Sequence, residues 1–376
     1  MTSAKFDVVI IGAGIVGAAC AAECAREGLA VAIVEANVIG GGATGAGMGH
    51  LVVMDDSEAQ FALTRYSQIL WDEIKRELPR EVEYDACGTI WVAADDEEMA
   101  EVRRKEKFYS ERGVAVEILD ASALEEAEPN LREGMVGGLL VPGDSVIYPP
   151  CAAQFLIGRA TLSGAKLFLG QAVEAVTPEG VRLRDGSLIS AGLVVNSAGS
   201  WSPLLTPGMS MNKRKGHLVI TDRYPGFLKH QLIELGYLKS AHSLTADSVA
   251  FNIQPRRTGQ LLIGSSRQYG VESSKVDAPV LRQMLKRAIE YMPRLGRLSA
   301  LRTWTGFRAA TPDKLPLVGP HAEHERLYLA TGHEGLGITT SLGTGRLLVD
   351  QILGRTSAIP IDPYLPARVT EELAHA

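Results

Sequence analysis

Nowhere in the 376 residues does an apolar run reach the roughly 18 that a membrane-spanning helix needs, so no transmembrane segment is expected. The apolar stretch near the N-terminus is short and broken by glycines, unlike a secretory leader. Cysteine is scarce. Its four copies, at 20, 24, 87 and 151, match no zinc spacing and no disulfide framework. Cys20 and Cys24 fall on one face of a helical segment and read as core, and a reduced, cytoplasmic protein is expected. Long basic runs are missing as well. Net charge is −6, and the densest cluster, Lys213-Arg214-Lys215, reads as a solvated loop or strand edge, so nucleic acid is not an expected partner. No Ser-His-Asp set and no metal cluster stands out, and no metal is expected. Internal repeats and low-complexity tracts are also absent.

What is present is concentrated near the start. Val8-Val9-Ile10-Ile11 is a strand-like run that enters Gly12-Ala13-Gly14-Ile15-Val16-Gly17. A helical segment, 18–27, and a second apolar strand, 30–34, follow, and the strand ends at Glu35. This is a βαβ unit in dinucleotide-binding order. Gly12 permits the tight turn, Gly14 lets a pyrophosphate approach the backbone, and Gly17 lets helix and strand pack closely. Phosphates would sit at the helix N-terminus, where free N–H groups and the helix dipole favour anions. Glu35, 18 residues after Gly17, stands where a carboxylate accepts both ribose hydroxyls, and its charge disfavours a 2′-phosphate.

The length suits about two domains. A second glycine-rich segment, 40–49, stops at an apolar run, 51–54. Helices are predicted over 61–78, 97–111 and 120–128 (capped by Asp120 or Ser122), over a Pro-initiated segment to 159, and over 279–292. Strands are predicted at 87–93, 137–141, 166–169, 171–176, 180–183, 188–190, 193–196, 249–254, 260–264 and 327–330. The last strand runs into Thr331-Gly332-His333-Glu334-Gly335-Leu336-Gly337 and a closing apolar helix. Strand-to-helix glycine turns at both ends point to a discontinuous nucleotide-binding domain. The expected class is α/β: a Rossmann-like domain of residues 1–80, 146–214 and 306–376. An α+β substrate domain with an antiparallel sheet, residues 81–145 and 215–305, completes it.

Five features in this order resemble the D-amino-acid oxidase family of flavoenzymes, over nearly the whole chain. They are the βαβ unit with Glu35, the segment 40–49, the turn Asn196 to Trp201, the stretch Gly306 to Pro316, and Gly332-His333-Glu334-Gly335. Within the family, Lys215 to Arg223 is similar to the D-hydroxyproline dehydrogenases. The resemblance implies FAD rather than NAD. It implies cofactor contacts from Gly12, Gly14, Ile15, Val16, Gly17, Glu35 and Ala36, and from Gly42, Ala43, Thr44, Gly47, Met48 and Gly49. Further along it implies Val173, Ala198, Gly199, Trp201 and Gly306, then Gly332, His333, Glu334, Gly335, Leu336, Gly337 and Ile338. The last helix would aim its N-terminus at the flavin pyrimidine and stabilise negative charge there.

Arg308 matches the family arginine that binds a substrate carboxylate, and a guanidinium fork suits that task. His50 and His333 are the other candidate catalytic residues, since imidazole titrates near neutral pH. His217 and His242 have less motif support. A neutral amine can lose a hydride from Cα to the flavin N5 and give an imine, which demands orientation more than acid–base groups. The expected substrate is a small amino or imino acid of the D-hydroxyproline or D-proline type. Glycine or sarcosine oxidation, an NAD-dependent dehydrogenase, and a flavin subunit of a larger electron-transferring complex are the alternatives. These residues leave open the electron acceptor (oxygen, a quinone or a carrier), the attachment of the flavin, and whether the chain forms homo- or hetero-oligomers.

Overall fold

The β-branched run near the N-terminus forms the strand Phe6–Ile11 at the centre of a sheet. The computed structural model describes residues 6–236 and 247–369, so His242 lies outside the described residues. Val31–Glu35 and Leu188–Asn196 flank the central strand in parallel. Lys166–Leu169 and Leu327–Thr331 extend the parallel run on the two sides, and Leu317–Pro320 closes one edge antiparallel. The predicted strands 188–190 and 193–196 are one strand, because the backbone stays extended through Ala191-Gly192.

One face of this sheet, with Val8, Ile10, Val31 and Ile33, is covered by helices Ile15–Arg26, Pro149–Leu162 and Gly337–Ile352. The other face, with Val9, Ile11, Ala32 and Val34, lies under the hairpin Val173–Thr177 and Gly180–Leu183. Burial on both sides explains why these strands are apolar without alternation. Cys20 and Cys24 are fully buried in the helical layer, as their spacing implied.

A second sheet of eight strands runs in the order 300–310, 212–221, 261–267, 248–255, 231–234, 89–93, 137–141, 117–120. It is antiparallel except for one pairing: Gln231–Glu234 lies parallel to Thr89–Ala93. The expected antiparallel sheet is thus present, with one parallel pair inside it. Two remote chain segments meet there, so no hairpin dictates their direction. Helix Ala278–Tyr291, capped by Asp277, packs on this sheet, and Tyr291 stacks on Phe251 at 4.6 Å. Asp120 caps helix Ala121–Ala127 by accepting the Ala123 N–H, which decides between the two candidate caps.

Lys213-Arg214-Lys215 is a correction. These residues lie in the strand Asn212–Thr221, and Arg214 and Lys215 are 3% and 2% exposed. Arg214 is ion-paired with Glu334, and the Lys215 ammonium donates to the Lys275 carbonyl. Both charges are buried because each has a partner. Among the described residues, no helix is long and apolar enough to cross a membrane, and no cluster of His, Cys, Asp and Glu is arranged for a metal.

The turn that joins Phe6–Ile11 to its helix is built on close contact. A Cβ on Gly17 would stand 2.0 Å from the Gly12 carbonyl oxygen and 2.6 Å from Ser197 Oγ. Gly17→Ala should therefore lower the stability of the chain by about 1–3 kcal/mol or more, read as a lower denaturant midpoint. A midpoint equal to that of the native protein would contradict the packing described.

Candidate active site

A cavity of about 560 Å3 opens between the two sheets. Its wall begins at the first glycine turn. Gly12 has φ +103°, and a Cβ there would lie 2.8 Å from the Ser197 carbonyl oxygen, so glycine is required. Helix Ile15–Arg26 starts at Gly14 with no side-chain cap of its own. Thr44, from the second glycine-rich segment, accepts the Ile15 N–H through Oγ1 at 3.0 Å. The N–H groups of Val16 and Gly17 belong to the first turn and have no intrahelical acceptor. The expected anion site thus survives, although one of its donors is already engaged by Thr44.

Glu35 ends the second strand on the same wall. Its Oε2 accepts the Ala13 N–H at 2.8 Å and its Oε1 accepts the Asn37 N–H at 2.8 Å. These bonds fix the carboxylate and leave each oxygen capacity for one more donor. The segment 40–49 contains a short helix, Gly42–Gly45. It crosses the cavity floor where side chains would collide: a Cβ on Gly47 would lie 2.7 Å from Ile338 Cδ1, and one on Gly306 would lie 2.3 Å from Ala46 Cβ. Helix Gly337–Ile352 also begins without a side-chain cap, and Gly335, Gly337 and Ile338 present its N-terminus to the cavity. Two helix N-termini, from opposite ends of the chain, therefore open on one space.

The wall formed by the second sheet carries polar side chains. Arg308 lines the cavity, and its Nη1 donates to the Ser266 carbonyl at 3.1 Å. Gly216 leaves room for that guanidinium, since a Cβ there would lie 2.7 Å from Nη1. Asn252 pairs with Gly264 on the neighbouring strand and shares the wall with Leu218 and Ser265. His50 reaches the same wall, with Nδ1 2.5 Å from Gln231 Oε1 and Nε2 3.3 Å from Asn252 Nδ2. Burial pushes its pKa down, so the ring is neutral at neutral pH.

His333 is also on the wall, but its Nε2 is bonded to Thr344 Oγ1 of the last helix at 2.9 Å. Burial pushes its pKa down to about 3. Titration near neutral pH, the property that marks these two histidines in the sequence, is thus absent from His333 and shifted downward in His50. His217 stays off the wall: its Nδ1 is bonded to Ser266 Oγ and its Nε2 accepts the Asp277 N–H at 3.0 Å.

The remaining expected cofactor residues, from Gly12 through Ala36, Gly42 to Gly49, Val173, Ala198, Gly199, Trp201 and Gly332 to Ile338, share this wall with two exceptions. Gly17 sits behind it in the helix–strand contact, and Leu336 packs beside the strand-end apolar cluster of Val52 and Val53. Sequence reasoning missed Asn252, Gly216 and Ser265, and it missed Arg184, Gln171 and Asn37 near Glu35. Gly216 stands in the quoted stretch Lys215 to Arg223, where a glycine inside a strand run marks close approach. Nothing local distinguished Asn252.

Residues 7–351 match the DAO family, described as FAD dependent oxidoreductase. The chain belongs to this family. Among known proteins, the hydrogen cyanide synthase subunit HcnC of Pseudomonas aeruginosa is 29% identical over 98% of this chain and 97% of its own. The glycine oxidase of Geobacillus kaustophilus is 28% identical over 96% of both chains. Among solved structures, that of glycine oxidase from Geobacillus kaustophilus superposes with a TM-score of 0.86 at 27% identity, covering 96% of this chain and 98% of the other. L-proline dehydrogenase from P. horikoshii gives 0.87 at 25% identity, covering 98% and 99%.

The family's cofactor is FAD, and the wall fits it. Gly12, Gly14, Gly47 and Gly306 let the backbone segments of the wall pack closely around a cavity of about 560 Å3, which has room for a flat, extended ligand. The uncapped helix at Gly14 suits its pyrophosphate, the Glu35 carboxylate suits its adenosine ribose, and the last helix suits the polar edge of its ring system. Glu35→Lys should weaken FAD retention by an order of magnitude or so, since a charge-assisted acceptor is replaced by a cation. Acid extraction of the native protein should release FAD. Release of FMN or NAD, or full retention by the variant, would contradict these assignments.

Proposed function

We propose that this chain uses FAD to oxidise the C–N bond of a small amino or imino acid. The supporting observation is Arg308, a guanidinium on the cavity wall, oriented by the Ser266 carbonyl and given room by Gly216. A substrate carboxylate at this fork leaves its Cα and amine against Leu218, Ser265, Asn252 and the neutral His50. An uncharged wall there favours the neutral amine, the form whose lone pair assists loss of hydride. Bound FAD supplies the two-electron acceptor. The chain's own residues supply orientation and exclude charge.

The names of the relatives support this substrate class: glycine oxidases, a D-amino acid dehydrogenase of Methylobacterium nodulans, and the L-proline dehydrogenase structure. Within the class we favour a D-proline type, with cis-4-hydroxy-D-proline as the substrate to try first. His50 has both ring nitrogens engaged, by Gln231 and Asn252, so it is not the partner of a ring hydroxyl. We assign the FAD-binding part to residues 1–80, 146–214 and 306–376, and the substrate part to 81–145 and 215–305. Membership of the two sheets supports this division, except that two strands of the second sheet, Asn212–Thr221 and Ala300–Ala310, cross the boundaries, the latter carrying Arg308. The likeness to a hydrogen cyanide synthase subunit supports a second reading, in which the enzyme works within a larger assembly.

Arg308→Ala should raise KM for the amino acid by about one to two orders of magnitude while FAD stays bound, because a charge-assisted bidentate contact is lost. Gly216→Ala should act in the same direction by displacing the guanidinium. The native enzyme should prefer an amino acid to its carboxamide, and Arg308→Ala should erase that preference. Equal preference in both proteins would remove Arg308 from the carboxylate site.

A further inference from the structure

We propose that a buried hydrogen-bond chain from Asp144 to the cavity wall sets the tautomer of His50 and, through it, the direction of the Asn252 amide. Asp144 is then a positioning residue for a site it does not touch. The consequence for substrate rests on the reading of the cavity as an amino- or imino-acid site, whereas the chain itself does not.

Each link has a direction. Asp144 is 1% exposed, in the turn before the short strand Ser145–Val146. Its Oδ1 accepts the Val53 N–H at 3.2 Å and the Gln68 amide at 3.1 Å. Its Oδ2 accepts the Thr89 hydroxyl at 2.5 Å. A hydroxyl has one proton, so the Thr89 oxygen can only accept from its next neighbour, Gln231 Nε2, at 2.7 Å. That turns Gln231 Oε1 towards His50, where it takes the Nδ1 proton. His50 Nε2 is left with a lone pair, and Asn252 must direct its NH2 group there. Asn252 is 7% exposed on the cavity wall, and its Oδ1 has no hydrogen-bond partner. Thr89 and Gln231 are fully buried, so water cannot substitute for a link. The ionised Asp144 thereby reserves an acceptor, Asn252 Oδ1, for a donor on the substrate: its amine N–H.

A neutral group at 144 reverses every link. Oδ1 must still accept two donors, so the proton or NH2 must lie at the Oδ2 position and donate to Thr89. Thr89 then donates to Gln231, both amides flip, and His50 becomes the Nε2–H tautomer. Asn252 would then offer NH2 in place of its acceptor, so the substrate amine N–H would lose its partner and the amide would compete for the lone pair that assists loss of hydride. Protonation of Asp144 does the same as substitution. Burial pushes its pKa up to about 7, with the nearby Lys105 cation opposing. The other titratable groups near it are Tyr109 and Cys87, both raised by burial, and His50 at the far end of the chain. Lys105 is itself ion-paired with Asp55.

The test uses FAD-loaded enzyme carrying ring-15N histidine, with the His50 signals assigned by their loss in His50→Gln. At alkaline pH the native enzyme should show the Nδ1–H tautomer and Asp144→Asn the Nε2–H tautomer, with KM for the amino acid raised about tenfold in the variant. Lowering the pH of the native enzyme through about 7 should give the same exchange without any substitution. Thr89→Val, which cuts the chain, should make the tautomer independent of pH. A His50 tautomer that is the same in native enzyme and Asp144→Asn, and unmoved by pH, overturns the proposal. If the tautomer exchanges as described but no amino or imino acid is oxidised, the functional reading fails and the chain stands.

Discussion

Helix Ile15–Arg26 can begin where it does only because two backbone segments touch at a distance that no side chain allows. Gly17 lies against the Gly12 carbonyl and Ser197, and Gly12 against the Ser197 backbone. This contact clamps the central strand, its helix and the returning strand Leu188–Asn196 into one unit. The consequences reach the cavity. The clamp aims a helix N-terminus, with only its Ile15 N–H engaged by Thr44, at the space where the cofactor's phosphates fit, and it holds the Ala13 N–H against Glu35. A second contact of the same kind, Gly306 against Ala46, brings the strand of Arg308 beside the glycine-rich segment. The site is thus bounded by absent side chains as much as by present ones.

Charge is distributed with equal economy. The cations in the second sheet that look free in the sequence are engaged: Arg214 with Glu334, Lys215 with a carbonyl, Arg308 with Ser266. Both wall histidines are neutral through burial. Around Arg308 the wall carries the uncharged Leu218, Ser265, Asn252 and His50, and the nearby Glu334 is paired with Arg214.

The βαβ unit was readable residue by residue because its periodicity, glycine spacing and terminal acid are all local. So were the closing strand-to-helix turn and most strand positions in the first sheet. The second sheet was less legible. Its parallel pairing of Gln231–Glu234 with Thr89–Ala93 joins segments more than a hundred residues apart, and no turn signals it. The burial of Arg214 and Lys215 was invisible for the same reason, since their partners Glu334 and Lys275 are remote in sequence. His50 reads in the sequence as a titrating group, yet burial holds its pKa down, and its partners Gln231 and Asn252, about 180 and 200 positions away, make it a link in a hydrogen-bond chain. Arg308 could be named because its flanking motif is local. Asn252 could not, because only strand register puts it on the wall.

We propose that one FAD and one arginine-anchored amino or imino acid share this cavity. An anaerobic absorbance titration of the purified enzyme with a panel of D- and L-amino and imino acids tests it without presuming an electron acceptor. Loss of the oxidised-flavin band is expected on adding a small member of the panel, with D-proline derivatives among the most effective. A flavin that dithionite bleaches but that no amino or imino acid reduces would contradict it.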